Sequence, residues 1–303
     1  MDNTFSSQGL IVSATPPVQL WFFSLTQLDD GDSLTENMKC WLSKDELSKV
    51  ARYRQHESRT KALYVRSLLR VVLSQYAPIA PDEWRFEYGK NGKPALITSQ
   101  RTQTGIEFNI SHSGDYLLIG VIVAKNETLQ LGVDVEHART STNIDPILNH
   151  YFSNQEASAL LALPRSQQRQ RFFDLWALKE SYIKATGQGL AKSLKSFGFD
   201  LTMAKKEWLL IQATKSTPSL GQNEQYQKVE FYRGIAPFFI EDRESSLASQ
   251  PSNQPDWQSC LGRLNEQYRF AVTLGNGTKP MKLSATLINP IQLLQSTDSH
   301  GLN

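Results

Sequence analysis

The 303-residue chain is poor in cysteine, in long apolar runs and in net charge, and each shortage removes a class of protein. Cys40 and Cys260 stand far apart and outside any CxxC pattern, which excludes a disulfide scaffold and fits a reducing, cytoplasmic setting. The longest apolar run, "YLLIGVIVA" over 116–124, is too short to span a bilayer, and the opening "MDNTFSSQGL" has neither a basic region nor an apolar core of leader type. The expectation is therefore a chain with no targeting or membrane-spanning segment. A formal net charge of +2 argues against nucleic acid or a membrane surface as the main partner.

What is present is enough for a real core, with 40% hydrophobic and 10% aromatic residues. The charge is unevenly spread. From Lys44 to Arg70 eight basic residues (Lys44, Lys49, Arg52, Arg54, Arg59, Lys61, Arg66, Arg70) face three acids, a local excess able to hold an anion.

"VQLWFFSL" over 18–25 is the first strand candidate. Helical spacing follows: Ala62, Val65, Leu68, Leu69 and Leu73 make one stripe, and Ser43 with Glu46 three residues on forms a capping box. "IEFNISHSGDYLLIGVIV" reads as strand, polar turn, strand. "LQLGVDVEHART" is a strand in which Leu129, Leu131, Val133 and Val135 share one face and Asp134 and Glu136 the other. Ser153 caps a further helix, and "RFFDLWALKESYIKATGQG" is the clearest helix, ending at Gly187 or Gly189. Strand-like "EWLLIQAT", "QKVEFYRGI" and "YRFAVTLG" come last, the final two separated by a Ser-, Gln- and Pro-rich insertion. Helix then strands over 44–123 is echoed by helix then strands over 146–275. The expected organisation is a loose 1–15 segment, an α+β half over 16–125, a second over 126–285 carrying a flexible insertion at about 241–258, and a tail over 286–303.

Four stretches carry candidate chemistry. Asp134 and Glu136 sit roughly 7 Å apart along one strand face, so both can meet one hard divalent cation, Mg²⁺ or Mn²⁺; taken alone such a pair more often marks a solvated edge strand. Glu180 and Lys184 are neighbours at i and i+4, the pattern of an ordinary surface pair, yet Trp176, Tyr182 and Ile183 give them an apolar setting. Ser111, His112 and Ser113 follow a strand at a turn, where hydroxyls, imidazole and free N–H groups suit a phosphate. "GKNGKP" puts Lys90 and Lys93 on a glycine turn but is no P-loop, and spacing supports no Ser-His-Asp triad.

Together these stretches resemble the 4'-phosphopantetheinyl transferases, in particular the large, monomeric surfactin-type (Sfp-like) group. The ordered signatures are "GKP" (Gly92 to Pro94), "NISHS" (Asn109 to Ser113), "GVDVE" (Gly132 to Glu136) and "WALKESYIK" (Trp176 to Lys184), over about ninety residues, with "YFSNQE" and "GQGL" in support. The chain departs from the pattern at "HYF", where an arginine usually precedes the paired aromatics, and at "GLAKSL", where a proline often follows the leucine.

The resemblance implies two pseudo-twofold-related α+β halves with coenzyme A in the cleft between them. It implies an enzyme of the holo-[acyl-carrier-protein] synthase type, which moves phosphopantetheine to a serine of an apo acyl or peptidyl carrier protein and leaves 3',5'-ADP. By motif position Asp134, Glu136 and Glu180 would hold Mg²⁺, with Glu180 and Lys184 catalytic. Lys93, Ser111, His112 and Lys184, joined by Arg59, Lys49 and Arg52, would bind coenzyme A. Two other readings stand beside it: a family member that only binds carriers or coenzyme A, and a Mg²⁺-dependent phosphoesterase or nuclease built on the acids alone.

Overall fold

The computed structural model describes residues 16–26, 28, 31–125, 127–213, 225–240, 256–277 and 279–298. The first half contains β1 (Val18–Ser24), α1 (Asp32–Trp41), α2 (Lys44–Ala51), α3 (His56–Ser74), β2 (Phe86–Tyr88), β3 (Pro94–Leu96), α4 (Thr98–Thr104), β4 (Ile106–Ser113) and β5 (Tyr116–Val123). The second begins with β6 (Gln130–His137), α5 (Ile144–Tyr151), α6 (Asn154–Leu161), α7 (Arg165–Thr186), β7 (Phe197–Phe199) and β8 (Lys205–Ala213). It continues with β9 (Gln225–Ile235), β10 (Pro237–Phe239), β11 (Gln258–Arg263), β12 (Tyr268–Gly275), β13 (Leu283–Ile288) and α8 (Pro290–Asp298). The protein is α+β.

Among the described residues nine strands form one sheet in the order β4-β5-β1-β13-β8-β9-β11-β12-β6. Of the described strand pairs, β1–β13 and β13–β8 are parallel and the others antiparallel. The sheet bends around an inner core to which both halves contribute, Phe22 and Leu118 from one and Val133, Phe231 and Phe270 from the other. Its outer faces are covered separately. Over β5 and β4, Leu117, Ile119 and Phe108 pack with Leu68 and Val72 of α3; over β12 and β11, Ala271 and Leu261 pack with Phe172 and Leu178 of α7. The alternation of inner and outer residues along β5 follows directly from the strand period of two.

Because the sheet curls, its end strands β4 and β6 come face to face. They are joined by side chains instead of a backbone ladder. Asn109 Oδ1, Ser111 Oγ and Ser113 Oγ on β4 accept from the backbone N–H groups of Val133, Val135 and His137 on β6, at 2.9, 3.2 and 3.2 Å.

The two halves repeat one device. Ser43 opens α2 with the expected capping box, and its partner Glu46 also meets Arg70 of α3 at 2.5 Å in the interior. Ser153 opens α6 in the same way, and Glu156 reaches Lys179 of α7 at 2.8 Å. Each cation then donates to two carbonyls in the segment after its long helix: Arg70 to Pro81 and Trp84 at 2.8 and 3.0 Å, Lys179 to Leu194 and Phe197 at 2.8 and 2.6 Å. A capping glutamate thus joins the short helix, the long helix and the segment that follows it in both halves.

The loose segment expected at 1–15 and residues 241–255 of the expected insertion lie outside the described residues; Gln258 already belongs to β11. The boundary drawn at 285/286 falls inside β13, which pairs with both β1 and β8, and α8 packs Leu294 into the core beside α3. Among the described residues no helix is long and apolar enough to cross a membrane.

Glu156 and Lys179 side chains are both 0% exposed, so removing one charge strands the other. Glu156→Ala is expected to cost about 3–5 kcal/mol, and Glu46→Ala a comparable amount through Arg70, read from urea midpoints. A loss below about 1 kcal/mol in either would contradict the shared role.

Candidate active site

β6 sends Val133 and Val135 into the inner core and turns Asp134 and Glu136 to the opposite face, toward α7. Gly132 lets that helix approach: a Cβ there would overlap the Ser181 carbonyl and the Ala185 backbone. Ser181 Oγ fixes the contact through Thr273 Oγ1 at 2.7 Å. On the cleft side of α7, Glu180 and Lys184 then lie beside the β6 acids.

Lys184 does not pair with Glu180, its neighbour one turn away. Its Nζ lies 2.7 Å from Asp134 Oδ1 and donates to Ser111 Oγ at 2.7 Å. The Ser111 hydroxyl in turn donates to Asp134 Oδ1 at 2.9 Å and accepts from Val135 N–H at 3.2 Å. This serine, expected to contact coenzyme A, is fully occupied in holding Asp134, Lys184 and the seam together.

The acids repel one another all the same. Burial pushes the Asp134 carboxyl up against the opposing pull of Lys184 and Ser111. Burial, then the Asp134 and Glu180 charges, lift Glu136 to about 7. Burial and Asp134 also raise Glu180. Asp134 Oδ2 is buried without a hydrogen-bond partner. A spare carboxylate oxygen amid three mutually repelling acids suits a hard divalent cation with oxygen ligands. Among the described residues, however, no three His, Cys, Asp or Glu side chains are gathered into a ready-made metal cluster. The residues have the right chemistry, but Lys184 holds one oxygen of the group.

Two adjoining cavities flank the site and share Pro94, Ile110 and Lys184. One, of about 370 Å³, is bordered by Tyr53, Arg66, Phe86, Tyr88, Ser111 and His112. The other, of about 290 Å³, is bordered by Asn91, Lys93, Asn109, Glu180, Ile183 and Gly187. Desolvation in the cleft, then the Lys184, Arg66 and Lys61 charges, pull the His112 pKa down.

The "GKNGKP" loop fastens the exit of α7 to the first half. Asn91 Nδ2 donates to the carbonyls of Gly187 and Gln188 at 3.0 and 2.7 Å, and Lys93 Nζ to those of Leu131 and Ala185 at 3.0 and 3.1 Å. Gly187 ends the helix in the left-handed region, at φ 67°.

The structure therefore brings Asp134, Glu136, Glu180, Lys184, Ser111, His112 and Lys93 to one cleft. It does not bring the whole basic stretch there. Arg59 turns back to the carbonyls of Tyr53 and Arg54, and neither Arg59 nor Arg52 is among the described residues bordering the two cavities. Lys49 lies over the Tyr88 ring, 4.0 Å from its centroid. Arg66 and Asn91 were missed. Arg66 adjoins Val65 and precedes Leu69 by one turn on α3, so the face that packs toward β4 was the available signal.

Fold and site define a two-halved α+β protein whose reactive groups cross the seam between the halves. The family model described as the 4'-phosphopantetheinyl transferase superfamily matches residues 130–235, and that described as 4'-phosphopantetheinyl transferase, N-terminal, matches 32–125. The chain is similar to the 4'-phosphopantetheinyl transferase HetI of Nostoc sp., with 34% identity over 175 residues, 58% of this chain and 70% of HetI. It is similar also to psf-1 of Bacillus pumilus, 30% over 183 residues (59% and 73%), and to Sfp of Bacillus subtilis, 30% over 166 residues (55% and 69%). The chain belongs to the 4'-phosphopantetheinyl transferase superfamily and, within it, to the Sfp-type group.

Glu136 supplies a pH test of the metal-free protein. A carboxyl raised from 4.5 to about 7 on folding costs nothing below the unfolded value, and the cost grows as pH rises through that window. Glu136→Gln should therefore melt at a higher temperature than the parent at pH 8, by about 1–2 kcal/mol of stability, with the gap closing by about pH 5. A gap independent of pH would contradict the crowding of charge.

Proposed function

We propose that this chain is an enzyme that transfers the 4'-phosphopantetheine arm of coenzyme A to a serine hydroxyl of an apo acyl or peptidyl carrier protein, of the kind used in fatty acid, polyketide or nonribosomal peptide synthesis. The observation that carries the reading is the Lys184–Asp134–Ser111 junction at the seam, with Glu180 one turn away and a cavity on either side.

In the step itself the serine oxygen forms a bond to the phosphorus that bears pantetheine. The bridging P–O bond breaks, and 3',5'-ADP departs with the bond pair. Glu180 takes the serine proton; its raised pKa makes it a better matched base than a free carboxylate. Lys184 exchanges Asp134 for a phosphate oxygen of the leaving group, so that its charge meets the charge developing there. Asp134, Glu136 and Glu180 would hold Mg²⁺, or Mn²⁺, which when bound neutralises the pyrophosphate. Binding of that pyrophosphate would offer Lys184 a second anion in place of the Asp134 carboxylate.

Coenzyme A would occupy the two cavities, with His112 and Lys93 near its phosphates and Ser111 acting through Asp134 and Lys184. The protein would work as a cytoplasmic monomer, with acidic carriers as partners.

Mass spectrometry of a panel of apo carriers, incubated with coenzyme A and Mg²⁺, tests the reading. The expected result is addition of one phosphopantetheine to at least one carrier, slowed about 10²- to 10⁴-fold by Glu180→Gln. Asp134→Ala should abolish transfer. Absence of transfer to every carrier would sink the proposal, and breakdown of coenzyme A without a carrier would point to a phosphoesterase.

A further inference from the structure

The outer face of the sheet is covered in two places and bare in a third. Helix α3 lies over β5 and β4, and α7 over β12 and β11, but among the described residues no helix is laid over β8 and β9. These two strands sit in the middle of the strand order, away from the β4–β6 seam. Leu209, Ile211 and Val229 point into the inner core, so the alternate residues of both strands point outward. Trp208, Leu210 and Gln212 on β8 stand opposite Glu230, Lys228 and Tyr226 on β9. Trp208 is 53% exposed, Leu210 55% and Tyr226 50%, so three large apolar side chains meet solvent side by side. Scattered exposed apolar residues are ordinary, but a contiguous group of them marks a contact surface.

The charge beside this patch is one-sided. Of the nearby acids, Glu230 is taken by Lys206 and Arg263, and Glu207 by Arg233 at 2.8 Å. Lys228 extends over the Trp208 ring, 4.5 Å from its centroid, and among the described residues has no carboxylate partner. An ammonium with donors to spare thus borders the apolar strip. Two adjacent strands make a strip about 10 Å wide, the footprint of a single α-helix.

We propose that the outer face of β8 and β9 docks one amphipathic helix of a partner protein, its apolar stripe on Trp208, Leu210 and Tyr226 and its flanking carboxylates on Lys228. Such a helix takes over β8 and β9 the place that α3 and α7 take over the rest of the sheet. Neither β4 nor β6 adjoins these strands, so the seated helix adds a partner without entering the seam.

The test selects binders to the full chain from a displayed library of helices about 14 residues long, four turns, with randomised surface positions. Selected helices should carry apolar residues at i, i+3 or i+4, and i+7, with Asp or Glu beside that stripe. Trp208→Ser should weaken their binding roughly 30-fold or more. Lys228→Glu should weaken it about three- to tenfold, by an amount that shrinks as salt is added. Should Trp208→Ser unfold the chain, Leu210→Ser carries the same comparison. An empty selection, helices without acidic flanks, or binders indifferent to the substitutions would overturn the proposal. Acrylamide quenching checks that the strip is free: the Trp208 emission, taken as the difference from Trp208→Phe, should be fully quenched, and a shielded Trp208 would show that the chain covers the strip itself. Light scattering and phosphatidylserine vesicles complete the comparison. A dimer, or vesicle binding, that Trp208→Ser abolishes would assign the strip to a second copy or to a lipid surface and overturn the partner helix.

Discussion

The arrangement depends on how β4 meets β6. Strand edges need partners for their N–H groups, and here the partners are alternate side chains. Asn109, Ser111 and Ser113 stand two residues apart, so they share one face of β4 and meet the equally spaced N–H groups of Val133, Val135 and His137. A shift by one residue would offer Ile110 and His112 instead and leave the edge amides unpaired. The middle rung is also part of the site: Ser111 cannot hold the seam without holding Asp134 and Lys184. Joining the halves and building the site are one structural event.

The halves repeat their framework but not their chemistry. If Arg70 is set against Lys179, the positions that correspond to Glu180 and Lys184 are Val71 of α3 and Gln75, the residue that caps its C-terminus. Val71 is fully buried, and Gln75 Nε2 reaches only the Val71 carbonyl, at 3.4 Å. The first half therefore supplies cavity walls with Arg66 and His112, while the second supplies Glu180 and Lys184. A cleft between unlike halves follows, with acids on one side and Arg66 and His112 on the other.

Much of this was legible from the chain. Ser43 with Glu46, the cap at Ser153, the glycine exit at Gly187 and the alternation of β6 are local signals, and local geometry realises them. What was not legible is long-range. The i, i+4 spacing pointed Lys184 at Glu180, but Gly132 draws α7 onto β6 and the lysine meets Asp134, fifty residues away in sequence. The second duty of Glu46, beyond its capping box, needs Arg70 from another helix. The basic excess over 44–70 was visible as a count, but a count does not say which way side chains face. Arg59 caps its own loop while Arg66 reaches the cavity.

The remaining tension is electrostatic. One ammonium serves three carboxylates; it satisfies one oxygen of Asp134 and leaves Oδ2 buried without a partner. Such a group is costly, because a desolvated carboxylate oxygen loses its hydrogen bonds to water and receives nothing in return. The strain stays because the framework over-determines it: the seam fixes Asp134 from β4, the close helix contact fixes Glu180 and Lys184 from α7, and the Asn91 and Lys93 bonds fix the end of that helix. A site held this way favours ligands that bring positive charge to the acids and negative charge to the lysine together, and a metal-bound pyrophosphate is a ligand of that kind.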